Sequence, residues 1–162
     1  MNNLPRIILI LFTFFLSNMS LAAVNLETTL SGSNQVPPTT SNVTGSGTFT
    51  YDFTTRRLDF SIDISNPDGE ELTAMHIHIG RAGENGGVII DLNLSATTST
   101  TFNSSGFRTL EEIYEQALLS EGLYLNVHSS ANPAGTARGQ IVIPAVCAAI
   151  KLSNGNTMPL CI

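Results

Sequence analysis

Basic residues are scarce in this chain: lysine and arginine together number 7 of 162 residues, against 13 aspartates and glutamates, for a net charge of −6. A chain so poor in cations offers no electropositive face to nucleic acid and no polybasic segment to an anionic membrane. Cysteine is almost missing, and its two copies, Cys147 and Cys161, are too far apart for a Cys-x-x-Cys redox pair. No Gly-x-Ser-x-Gly is present, so serine hydrolysis lacks its motif. No internal repeat and no low-complexity tail divides the chain. Long apolar runs are absent as well: the stretch from Ile7 to Leu16 is ten residues, where a membrane-spanning helix needs about 20.

That short run has another meaning. It follows a single positive charge, Arg6, and precedes Ser20-Leu21-Ala22, the small-x-small pattern of a cleavage site. Residues 1–22 therefore read as a secretory leader, and the protein as secreted or periplasmic and not membrane-spanning. No cysteine follows the run, which argues against a bacterial lipid anchor. Without Arg6 the balance is 6 basic against 13 acidic residues, a net −7. About 140 residues remain, enough for one domain with a sizeable core. The expected organisation is one domain over 23–146 and a C-terminal extension over 147–162. In an oxidising compartment Cys147 and Cys161 are expected to pair, stapling that extension with about 3 kcal/mol of loop-closure stabilisation.

What is abundant is Thr, Ser, Asn and Gly, together with apolar residues that alternate with period two. "VNLETTLSG" begins the alternation, and the prolines of "VPPTT" break it. "SGTFTYDFTTRRLDFSIDIS" predicts a hairpin with Phe49, Tyr51 and Phe53 on one face of its first strand. Leu58, Phe60, Ile62 and Ile64 share a face of the second, and the turn falls near Thr54-Thr55. "LTAMHIHIG", "GGVIIDLNLS", "GLYLNVHSS" and "RGQIVIPAV" are four more strands, with a short one around "AAIKL". One segment departs from the pattern. Leu110, Ile113, Tyr114, Ala117 and Leu118 recur at helical spacing, Thr109 and Glu112 suit a capping box, and Gly122 suits the helix end. The reading is an all-β Greek-key sandwich or barrel with one short inserted helix covering an opening.

Only three histidines occur, and all three fall near strand ends. In "TAMHIHIGRAGENGG", His76 and His78 share one strand face because residues two apart point the same way. Met75, Ile77 and Ile79 take the other face, which the core claims, so both imidazoles are expected to face outward. In "LYLNVHSS", Tyr124, Asn126 and His128 likewise lie opposite Leu123, Leu125 and Val127. If the two strands are neighbours, three imidazoles converge. Three neutral imidazoles suit copper or zinc with one position left for water or substrate. Asn126 is placed to support the third ligand. Glu84 and Asp91 are weaker candidates as extra ligands, and ordinary solvated turn carboxylates otherwise. "GRAGENGG" joins two strands and opens no helix, so it is a poor phosphate loop. Arg138, in "NPAGTARGQ", is a lone cation beside a turn, suited to donating hydrogen bonds to loop carbonyls. Asn42, Asn93 and Asn103 begin glycosylation sequons, which matter only in a eukaryotic host.

"LSGSNQVPPTTSNVTGSGTFTYD", "AMHIHIGRAGENGGVIIDL" and "GLYLNVHSSANPAGTARGQI" together resemble the CHRD domain, named after chordin and common in exported microbial proteins. The likeness runs from about Leu26 to Ile143 and implies a secreted β-sandwich module. A more distant likeness is to copper,zinc superoxide dismutases, which also carry an H-x-H strand, a later V-H strand and an Arg after an A-G turn. That likeness implies copper held by His76, His78 and His128, a Greek-key barrel, and Arg138 as a catalytic guide for superoxide. The chain departs from it in having no fourth histidine, and hence no bridging imidazolate, and no zinc cluster. Three functions follow: copper handling or redox chemistry at the three histidines, a dismutase-type enzyme, or an extracellular protein-interaction module whose histidines only support a loop.

Overall fold

The computed structural model describes residues 23–145 in full, together with the backbone of two C-terminal strands. The leader expected at 1–22 lies outside the described residues, as do the side chains of Cys147 and Cys161 and the disulfide expected between them. Eight antiparallel strands form one sheet: β1 (Ala23–Ser31), β2 (Thr44–Asp52), β3 (Arg57–Ser65), β4 (Leu72–Ile79), β5 (Val88–Asp91), β6 (Thr101–Thr109), β7 (Leu123–Ser129) and β8 (Ala137–Gln140). Their order is β5-β4-β7-β8-β1-β2-β3-β6. The two edges approach each other, and Arg108 Nε on β6 donates to the carbonyl of Asp91 on β5 at 2.8 Å. The sheet is thus a nearly closed barrel. β7 returns to lie beside β4, which is the Greek-key connection. A separate hairpin pairs β9 (Cys147–Lys151) with β10 (Thr157–Cys161) and sets Cys147 opposite Cys161 in the backbone ladder.

Alternation builds the interior. Leu26 and Leu30, Phe49 and Tyr51, Leu58 to Ile64 at every second position, and Leu123, Leu125 and Val127 all point into one buried cluster. The predicted all-β architecture with one short helix is the architecture found. The hairpin turn falls at Phe53–Arg56, where Asp52 Oδ1 accepts from the backbone N–H groups of Thr54 and Thr55. Phe53 therefore belongs to the turn and meets Tyr51 edge-on, with ring centroids 5.0 Å apart.

Two elements differ from expectation. β6, "TFNSSGFRT", shows no clear apolar alternation in the sequence, yet it pairs with all nine residues of β3. Gly106 lies opposite Phe60, which crowds that position; a Cβ on Gly106 would stand 3.2 Å from the Phe60 ring. The helix expected between Thr109 and Gly122 is shorter, a 3₁₀ turn at Glu112–Tyr114 followed by α1 (Glu115–Leu119). Thr109 ends β6 and makes no cap; Glu111 precedes the turn without a side-chain cap bond. The left-handed residue after the helix is Glu121, with φ 56°, and not Gly122. Leu110 and Leu118 are buried and Tyr114 and Ala117 pack against the core, but Ile113 is exposed.

Candidate metal centre

A bulge sets the phase of β4. Leu72 faces the core opposite Ser129, and the register then shifts before Ala74 pairs with His128. A bulge adds one residue to one strand and so exchanges its faces. Beyond it Met75 and Ile77 are the residues that enter the hydrophobic core, and His76 and His78 stand on the opposite face of β4. β7 pairs directly with β4, as the convergence of three imidazoles requires. His76 lies opposite Asn126 and His78 opposite Tyr124, which leaves His128 diagonal to His76.

The three imidazoles meet. His76 Nδ1 stands 3.1 Å from His128 Nε2, and one nitrogen from each ring lies within 4.8 Å of the other two. Two nitrogens bound to one ion at ordinary metal–nitrogen lengths of about 2.0–2.1 Å stand roughly 3–4 Å apart. The 3.1 Å pair already meets that spacing, and the widest separation of up to 4.8 Å exceeds it by about an ångström. Backbone carbonyls fix two of the tautomers. His78 Nδ1 lies 3.0 Å from the Gly86 carbonyl and His128 Nδ1 lies 2.9 Å from that of Pro133. A carbonyl oxygen only accepts, so each Nδ1 carries the proton and each Nε2 is left as a lone pair. The His78 Nε2 is buried and has no hydrogen-bond partner. An orphaned acceptor of this kind calls for an explanation, and a metal ion supplies one. The fit of the residues to copper or zinc thus rests on the donor set and on this unpaired nitrogen. With His128 Nε2 left as an acceptor, His76 Nδ1 donates to it at 3.1 Å in the metal-free protein, and a bound ion would take the place of that proton; His76 Nε2 lies 3.9 Å from Asp91 Oδ1.

Electrostatics favours neutral, ligating rings. Burial lowers the pKa of His76, as does neighbouring His128, while Asp91 works against them. Burial also lowers that of His78; the Gly86 carbonyl opposes the shift, and His128, His76 and Arg138 add to it.

The expectation that these rings face outward needs correction. All three point away from the core, but loops cover His78, while His76 and His128 stay partly exposed. His78 is only 7% exposed, and Tyr124 and Asn126 are buried. The strand's outer face is floored by β4, β7 and β8 and roofed by the loops at 32–39, 80–87 and 130–136. A cleft between residues 36–39 and 131–135 has His78 in its lining. A larger groove beside Leu30, Gly45, Ile64 and Phe102 contains no histidine.

The other predicted residues have their places. Asn126 accepts from Gln35 Nε2 at 2.6 Å and donates to the Ala134 carbonyl at 3.3 Å. It thus ties down the loop whose Pro133 carbonyl orients His128. Arg138 is buried, 2% exposed, and donates to the carbonyls of Glu84 and Arg81 at 2.8 Å each. Glu84 lies outside the histidine cluster, and its carboxylate accepts from the Arg81 amide at 3.3 Å. Asp91 stands beside His76 and accepts from the Asn93 amide.

Sequence reasoning missed Gly86, Pro133, Tyr124 and Glu70. The first two act through backbone carbonyls, which leave no residue signature. Glu70 lies in "NPDGEE", whose Pro, Asp and Gly mark a turn and announce no site role. Its carboxylate accepts from Ser41, and from Ser129 and Thr136 at 2.8 Å each, joining three segments beneath the site.

The family model of the CHRD domain matches residues 26–141, a span that includes His76, His78, His128 and Arg138. The chain belongs to the CHRD-domain family. No curated protein matches it. Among the described residues, no helix is long and apolar enough to cross a membrane.

Proposed function

We propose that this CHRD-domain protein is an exported copper-binding protein whose site is formed by His76, His78 and His128. The observation that carries the reading is the unpartnered, buried Nε2 of His78, facing a pair of imidazole nitrogens 3.1 Å apart. Three imidazoles hold either oxidation state of copper, so the bound ion can be carried or can cycle one electron. Zinc suits the same nitrogens without redox chemistry. The protein's own residues supply the rest. Gly86 and Pro133 hold protons on the two Nδ1 atoms, Asp91 faces His76, and the surrounding loops keep bulk water from His78. Copper carriage is favoured over superoxide dismutation because the guanidinium of Arg138 is sealed beneath a loop and is spent on carbonyl oxygens. Export is supported by the leader pattern at 1–22, and it brings with it a Cys147–Cys161 disulfide.

Competitive copper titration of the native protein and of His76→Ala, His78→Ala and His128→Ala tests the reading. One tight equivalent is expected in the native protein. Each substitution should weaken it by more than the ~10–100-fold that losing a supporting residue costs. Equal, weak binding in all four proteins would leave the alternative of an interaction module, in which the histidines only brace loops.

A further inference from the structure

Arg138 is the largest of the fully buried side chains, and no carboxylate forms an ion pair with it among the described residues. A guanidinium withdrawn from water without an ion-pair partner is costly, so its hydrogen bonds must compensate. They are concentrated on one loop. Nη1 donates to the Glu84 carbonyl at 2.8 Å and reaches Asn85 Oδ1 at 3.4 Å; Nη2 donates to the Arg81 carbonyl at 2.8 Å. Its carbon Cζ lies 3.5 Å from the centroid of the Tyr124 ring, a close cation–π contact.

Both sets of contacts lead to the same imidazole. The loop held at Arg81, Glu84 and Asn85 continues into Gly86, whose carbonyl receives the Nδ1 proton of His78. Gly86 also donates its N–H to the Tyr124 hydroxyl at 3.2 Å. The Tyr124 ring in turn stacks on His78, with centroids 4.9 Å apart and planes 12° from parallel. Arg138, Tyr124 and His78 thus form a stack, and the loop runs from the first to the last. His128 takes its orientation from Pro133, on a different loop.

We infer that Arg138 is a positioning residue for His78, clamping the 81–86 loop and the Tyr124 ring around the imidazole so that its Nδ1 holds the proton and its Nε2 faces the metal. The inference rests on the copper reading for its consequence, but its geometry concerns the metal-free protein. Burial pushes the guanidinium's pKa down, and Tyr124 and Glu84 oppose that. A side chain that is this enclosed and already committed to carbonyls holds structure and does not greet substrate.

The test is long-range ¹H–¹⁵N NMR of the imidazoles in the metal-free protein, for the native chain and for Arg138→Lys and Arg138→Gln. In the native chain His78 and His128 should each show one tautomer, protonated at Nδ1. In the variants His78 should lose its single tautomer while His128 keeps its own. Copper affinity, measured on the same samples, should then fall about 10–100-fold. Tyr124→Phe, which removes only the hydroxyl contact to Gly86, is the milder variant should the arginine substitutions fail to fold; it should broaden the His78 signals alone. An unchanged His78 in a folded arginine variant, or equal disturbance of His78 and His128, would overturn the inference. Normal NMR behaviour with no copper bound by the native chain would instead count against the copper reading and leave the positioning role standing.

Discussion

His78 concentrates the chemistry of this protein in one ring: Nδ1 is bonded to a carbonyl, Nε2 is unpaired, and one face lies against Tyr124. Burial lowers the pKa of His78 and of His76, and this sets a pH dependence for the metal-free protein. An imidazole in the unfolded chain titrates near 6.5. Groups whose folded pKa lies below that value bind more protons when unfolded, so stability is full above about pH 6.5 and declines as pH falls through the folded values. Melting temperatures of the metal-free protein between pH 8 and 5 should show this decline, and His78→Gln should make it shallower. A flat profile in the native protein would count against neutral buried rings. Glu70 works in a separate, lower window. Burial raises its pKa, but hydrogen bonds from Ser41, Ser129, Thr136 and Asn132 outweigh burial and hold it below the ordinary carboxylate range. Its contribution is therefore present above about pH 4.3 and is lost below that.

The elements around the site show what a sequence can and cannot announce. Period two in "AMHIHI" and "LYLNVH" reveals both strands and places each histidine opposite core residues, because alternation is a property of one strand alone. The bulge between Leu72 and Ala74 was not legible, since it exists only in relation to β7. β6 was hidden for a similar reason: Gly106 is apt there because Phe60 of β3 lies over it. Tyr124 and Asn126 look like an outer face in sequence, and only the loops folded back from elsewhere bury them. The loop that orients His78 contains a sharper constraint. A Cβ on Gly86 would stand 1.6 Å from the Ile79 carbonyl oxygen, whereas one on Gly87 would meet nothing within 4 Å. Gly86→Ala should therefore displace the loop and weaken copper binding by about 10–100-fold, as loss of a supporting group does. Gly87→Ala, the neighbouring control, should bind as the native chain does. Equal behaviour of the two in a copper titration would show that the loop does not position the ligand.

At the scale of the whole molecule, a nearly closed barrel brings β4 and β7 together across 52 residues of sequence separation between His76 and His128. The barrel supplies a rigid floor, and three loops supply cover and tautomer control. The net charge of −6 suits attraction of a cation better than guidance of an anion, which agrees with the sealed position of Arg138. The backbone ladder sets Cys147 opposite Cys161, a placement compatible with the proposed disulfide. The exported protein, analysed by intact mass without reductant, is expected to gain about 2 Da on reduction, one hydrogen per sulfur; an unchanged mass would mean two thiols. The central claim is the three-histidine copper site, and its most direct test is electron paramagnetic resonance of the protein loaded with one equivalent of Cu(II). Nitrogen coupling from three imidazoles is expected, falling to two in His128→Ala. A copper signal without imidazole coupling, or one that His128→Ala leaves unchanged, would contradict it.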